Sequence, residues 1–200
     1  MGGGMKVNRV IILSILFSLL NTGCMYAIRY DGTYSGKVID VDTEEPIEAV
    51  VVLGVWNKEY TGAPGTISEF YDARETVTDK KGEFKITGQG LRIMTNLAPM
   101  NILIFKAGYT YFGTYTWNEF RRTVRFEDNK PVVRLRKLTM EERRKQGTPN
   151  FYIGVRYDEK EKITHSCLPK NIKLLPNEIN KELLEQGRKP YDLEGGRCEK

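Results

Sequence analysis

The chain has 200 residues, enough for one ordinary domain with extensions. Its 40% hydrophobic and 28% charged content excludes a wholly disordered polymer. The net charge of +5 is small, and solvated faces account for its densest stretches, Arg134 to Lys137 and Arg143 to Lys145. A nucleic-acid partner, which calls for a clustered basic face with stacking aromatics, is not expected.

Lys6 and Arg9 precede Val10 to Leu20, an apolar run broken only by two serines. Its eleven residues suit the core of an export signal, about 7–15 residues, and fall short of the roughly 20 needed to span a bilayer. Asn21, Thr22, Gly23 and Cys24 follow at once. Small residues before a cysteine resemble the lipobox of bacterial lipoproteins, although Asn21 stands where that family prefers leucine, which here sits at Leu20. The resemblance implies that residues 1–23 are removed and that the Cys24 thiol takes a diacylglycerol. The freed amine then takes a third acyl chain. Several chains give a durable anchor where one would not. Met25, in a place where aspartate commonly signals inner-membrane retention, points to the outer membrane, facing the periplasm. Residues 24–32 are then a lipid-anchored tether.

Short strand-like runs follow. Tyr34 to Val41 alternates loosely and ends in a turn-rich stretch from Asp42 to Pro46. Ala49 to Trp56 is β-branched and reads as buried on both sides. Glu75 to Asp79 and Glu83 to Ile86 flank Asp79 to Gly82, which reads as a hairpin turn. In the second arm Phe84 and Ile86 should face the core, with Glu83 and Lys85 facing water. Thr87 to Leu91 reads as a turn. Asn101 to Lys106 is an apolar strand stopped at Gly108, and Tyr109–Trp117 and Arg121–Phe126 continue in β-rich composition. Val132 to Leu138 alternates, placing Val133 and Leu135 on one face. Strands at this spacing predict a mostly β fold, an antiparallel β-sandwich over residues 33–138.

A C-terminal extension, 139–200, changes character. Thr139 and Glu142 form a capping box, so a short charged surface helix should run from Met140 to Gln146 and stop at Gly147. Leu175, Ile179 and Leu183 recur every four residues and predict a helix to about Gln186, ended by Gly187 and packed on the sandwich.

Three pieces of the sandwich segment carry a further likeness. They are Gly36, Val38 and Asp40 followed by Pro46, Ala49 and Val51; Thr78, Asp79, Gly82 and Phe84; and Gly108 with Tyr109. Their order resembles that of the carboxypeptidase regulatory-like domain, a transthyretin-like sandwich. Each residue also has a structural reading: turns at Asp40–Pro46 and Asp79–Gly82, a core ring at Phe84, a small residue at Ala49 where two sheets come close. The signature therefore encodes a fold and no active site.

The connection from Asn57 to Arg74 is long for a hairpin and carries Tyr60, Phe70 and Tyr71 with the breakers Gly62, Pro64 and Gly65. A loop of that size is uncommon unless functional or disordered. Tyr60, Phe70 and Tyr71 are the candidate binding residues; an insertion with its aromatics tucked on the sheet is the alternative. The single histidine, His165, cannot supply the two His and one Glu of a zinc carboxypeptidase. No nucleotide-binding loop or C-x-x-C pair occurs. No catalytic residue, metal or cofactor is expected. In an oxidising compartment Cys167 and Cys198 are expected to pair, stabilising the tail by roughly 3–4 kcal/mol; a metal held with His165 ranks below. The function expected is a non-catalytic accessory or binding module of the cell envelope. Its partners are the membrane through the lipid and an envelope protein or glycan. The alternatives are a purely structural lipoprotein and, last, a periplasmic hydrolase using Asp72, Glu69 or Glu75.

Overall fold

A computed structural model describes residues 28–62, 65–149, 154–158 and 163–193. They fall into two compact units, one formed by the chain up to Gly32 with Gly88–Thr95, the other by Thr33–Thr87 and Asn96–Lys200. In the first, β1 (Ile28–Asp31) pairs antiparallel with β6 (Gly90–Ile93). Ile28–Asp31, expected as plain tether, is therefore a strand. The turn expected over Thr87 to Leu91 gives way to strand at Gly90, whose φ of 76° suits glycine.

The second unit is a mostly β sandwich. One sheet has the order β5-β2-β10-β9, from β2 (Tyr34–Asp40), β5 (Glu83–Ile86), β9 (Arg125–Glu127) and β10 (Lys130–Leu135). The other has the order β4-β3-β7-β8, from β3 (Val51–Gly62), β4 (Gly65–Val77), β7 (Asn101–Phe105) and β8 (Phe112–Thr116). Both are antiparallel except where β10 runs parallel to β2. The inner faces meet in a core of Val38, Val52, Trp56, Phe84, Ile86, Ile102, Ile104, Val133 and Leu135. Phe84 and Ile86 are buried and Lys85 is exposed, as their alternation predicts.

The second face of the same sheet carries another core. Val51, Leu53, Val55, Leu103 and Phe105 pack against Leu168, Ile172, Leu175, Ile179 and Leu183. The last three lie on α3 (Leu174–Glu185). Residues 51–56 of β3 and 102–105 of β7 thus carry no polar side chain, because both their faces are covered, one by the opposing sheet and one by the tail. The tail also contains a hairpin, β11 (Gly154–Asp158) with β12 (Ile163–Cys167).

Several local expectations need correction. The stretches at Asp40–Pro46 and Asp79–Gly82 are turns, but neither closes a hairpin. Each carries the chain from one sheet to the other, since β2 and β5 belong to one and β3 and β4 to the other. The turn chemistry itself is present. The Asp79 carboxylate accepts from the Lys81 and Glu83 N–H groups, both at 2.9 Å, and Gly82 has φ 71°. Ala49 is exposed at φ 58° and does not sit between sheets. A close approach that requires glycine lies within one sheet, at Gly36, paired with Phe84 on the neighbouring strand, where a Cβ would stand 2.7 Å from the ring. Trp117 to Thr123, expected in β-rich chain, is a helix, α1. Thr116 and Glu119 form its capping box, and it buries Phe120 against Trp117 and Phe112. The predicted capping box at Thr139 does open α2 (Met140–Gln146), closed by Gly147 at φ 69°.

Candidate functional site

The segment expected as a loop, Asn57 to Arg74, is a β-ribbon. β3 and β4 stay paired from Val51↔Val77 to Gly62↔Gly65, so Gly62 and Gly65 form the last pair of the ladder. The aromatic and β-branched residues between Tyr60 and Tyr71 favour strand, and the ladder satisfies backbone groups that a long loop would leave to water. One irregularity breaks the register: Trp56 faces Asp72 and Asn57 faces Phe70, so Tyr71 is an extra residue, a β-bulge.

That bulge sorts the three aromatics. Phe70 pairs with Asn57 and turns toward the second core, where it packs as a half-buried residue. Tyr60 pairs with Ile67 on the other face, 42% and 55% exposed. Tyr71 is exposed with the Lys58 ammonium 5.0 Å above its ring. The structure therefore brings Tyr60 and Tyr71 into the solvent and withdraws Phe70. Ile67 joins Tyr60; strand period two could have found it, had the segment been read as strand. At its base the ribbon is braced by the Asn57 carbonyl, which accepts from Ala98, and by the Glu59 N–H, which donates to Asn96.

The acids that could have served hydrolysis have structural employment. The Glu75 carboxylate accepts from the backbone N–H groups of Lys173, Leu174 and Leu175 at 2.7, 2.8 and 2.6 Å, capping the N-terminus of α3 from a neighbouring strand. Asp72 accepts from the Ala73 N–H at 2.9 Å and from Arg74 Nε at 3.2 Å. Glu69 is exposed on the ribbon. The three do not converge.

The densest polar cluster ties the tail down. Arg143 of α2, expected on the surface, is buried, and its guanidinium donates to Glu182 at 2.8 and 2.6 Å and to Glu185 at 2.6 Å. Glu182 also accepts from the Gly108 N–H at 2.7 Å and from Gln186. Burial pushes the Glu182 carboxyl up, but these hydrogen bonds outweigh it and leave its pKa lowered. The donated bonds raise that of Arg143. The residues that carry the family likeness knit together in the same way. Val50 N–H donates to Thr78 Oγ1 at 2.9 Å, and that hydroxyl donates to the Ile47 carbonyl at 2.6 Å. Tyr109 hydrogen-bonds Asp40, and burial with that carboxylate raises its pKa.

A cleft of about 500 Å³ opens beside α1, lined by Val41, Glu44, Phe112, Val124, Arg125 and Arg134, with Arg134 paired to Glu127 at 2.9 Å. Among the described residues no group of three or more His, Cys, Asp or Glu could hold a metal. Cys24 and Cys198 lie outside the described residues, and so does the pairing expected of Cys198 with Cys167, which ends β12. His165 stands opposite Arg156 in the β11–β12 hairpin.

No protein-family model and no curated protein matches this chain. Among solved structures, a streptococcal ancillary pilin is similar over 55% of this chain and 30% of its own, at 13% identity and a TM-score of 0.32. The pilus 2b backbone protein of group B streptococcus is similar over 56% and 43%, at 18% identity and the same TM-score, 0.32. A 9R-lipoxygenase from Cyanothece is similar at 14% identity and a TM-score of 0.25. The chain spans less than half the length of each pilin, and at these TM-scores no likeness bears on what it does.

Proposed function

We propose that this chain is a non-catalytic accessory module of the bacterial cell envelope, with a sandwich of the carboxypeptidase regulatory-like type, anchored by lipid on Cys24 in the outer membrane and facing the periplasm. The observation that carries the binding role is the solvent face of the β3–β4 ribbon. Tyr60 and Ile67 sit opposite one another on it, beyond the core, with Tyr71 and Lys58 beside them. Exposed apolar side chains at the end of a rigid ribbon cost solubility and give nothing to the fold, so they are placed to be covered by a partner. A tyrosine pair with one ammonium suits an envelope protein or a glycan, which tyrosine faces and hydroxyls both engage. The structural employment of Glu75 and Asp72 supports the absence of catalysis.

Two measurements test this reading. Metabolic labelling with a fatty acid should mark the wild-type chain and not Cys24→Ser; label on the Ser variant would refute the lipid anchor. Pull-down from detergent-solubilised envelope should recover a partner that the triple variant Tyr60→Ser, Ile67→Ser, Tyr71→Ser fails to hold. Equal recovery removes the ribbon from the function.

A further inference from the structure

The β1–β6 ribbon turns its apolar residues outward. Ile28 pairs with Ile93 and Tyr30 with Leu91, so these four side chains share one face. They are 64%, 62%, 75% and 61% exposed, and Met94 follows at 84%. The opposite face carries Arg29 opposite Arg92, and the buried Asp31, which accepts from the Gln89 N–H at 2.7 Å. An ordinary half-buried ribbon has the reverse arrangement, apolar residues inside and charges in water.

We infer that this face rests on the lipid bilayer, its side chains entering the headgroup region beside the acylated Cys24; the inference depends on the lipoprotein reading. Chain length is the first argument. Three residues lie between Cys24 and Ile28, and a fully extended chain covers at most about 3.6 Å per residue step, hence about 14 Å over the four steps. The acyl chains hold Cys24 at the membrane surface, so the ribbon begins within that distance of it. Composition is the second. Met25, Tyr26 and Ala27 carry no charge, so no repelling or strongly hydrated group separates the anchor from the face. Chemistry is the third. Tyr30 is one of the four residues of the face, and tyrosine favours the membrane–water boundary, where its ring is in acyl chains and its hydroxyl in water. The ribbon lies flat in the interface without crossing it, because a two-stranded ribbon has open edges whose N–H and C=O groups need water. Its role is to seat the start of the chain on the membrane, which the lipid alone leaves free to swivel.

The test uses the full-length lipidated chain reconstituted into vesicles of phosphatidylethanolamine and phosphatidylglycerol, with Tyr30→Trp and, separately, Leu91→Trp. The wild-type chain, with Trp56 and Trp117, gives the baseline. Replacing part of the lipid by chains brominated near the headgroup should lower the added emission of both variants by about twofold, as expected for side chains buried about 5–10 Å into the interface. Fatty-acid labelling is run on the same preparations. Acyl label without quenching of either tryptophan overturns this inference and leaves the lipoprotein reading standing. Absence of label overturns both. Shielding from aqueous acrylamide in a sedimenting dimer, without bromine quenching, assigns the face to a second copy and likewise overturns it.

Discussion

In the β5 strand of the sandwich and in the β1–β6 ribbon, the sequence does the same thing with opposite results. Phe84 and Ile86 alternate with Glu83 and Lys85, and the apolar pair is buried. Ile28 and Tyr30 alternate with Arg29 and Asp31, and here the apolar pair is exposed while Asp31 is buried. Alternation divides a strand into two faces; it does not say which face is wet. That is decided by what stands opposite. β5 has a second sheet across from it, filled by Val52, Trp56, Ile102 and Ile104. Among the described residues of its own unit the ribbon has no such apolar layer.

The sharpest way to break the comparison is Phe84→Ala, which removes a buried ring that also lies against Gly36. It should destabilise by about 3–5 kcal/mol, read as a lowered melting temperature of the soluble chain begun at Met25. Lys85→Ala on the same strand should stay within about 0.5 kcal/mol. If Lys85→Ala proves the more damaging, the assignment of faces fails.

Arg143→Met asks whether the tail is held as firmly as the sandwich. It leaves Glu182 buried without its cation and should cost about 3 kcal/mol by denaturant titration. The pH dependence has a definite sign. Glu182 binds its proton more weakly in the folded chain than at its ordinary value of 4.5, so unfolding takes up a proton in acid. Its contribution is full above about pH 4.5 and is lost as pH falls through the lowered folded value. Glu182→Gln should flatten the fall of melting temperature below pH 4.5; an unchanged slope would mean that other carboxylates dominate it.

Glu75→Ala removes three hydrogen bonds from the start of α3 and should cost about 1–2 kcal/mol. Hydrogen exchange should show faster opening at Leu174 and Leu175 than at Ile102 and Ile104. Leu91→Ser, at the other end of the scale, removes an apolar side chain already in water. The same substitution type that is ruinous at a core leucine should here stay within about 0.5 kcal/mol in the soluble chain. A loss above 1.4 kcal/mol, a tenfold change in the folding equilibrium, would show that the face is covered within the folded chain.

Much of the architecture was legible in advance because its signals are local. Alternation along β5 and β10, the unbroken apolar run of β3, the i, i+4 stripe Leu175–Ile179–Leu183 and the Thr139–Glu142 box each lie within a dozen residues. The α1 helix was equally local. Its Thr116–Glu119 box lies in the sequence, within a stretch whose aromatics favour strand. The candidate site is legible only in part: the sequence points to Tyr60, Phe70 and Tyr71 alike and does not point to Ile67, and only the strand register shows that Phe70 tucks onto the sheet while Tyr60 and Tyr71 stay exposed.

Where β5, β10, α2 and α3 run, which of their faces are apolar and where the chain turns follow from the sequence alone, because backbone sterics, capping and period act over a few residues. Only the tertiary structure decided the rest. Whether the turn at Asp79–Gly82 joins partners in one sheet or crosses between two depends on β3 outcompeting β5 for β4. Whether Arg143 is a surface charge depends on Glu182 arriving from 39 residues away. Which face of a ribbon meets water depends on whether another layer covers it. Each of these is a contact between segments distant in the chain, set by packing the whole at once, and no short window of sequence contains it.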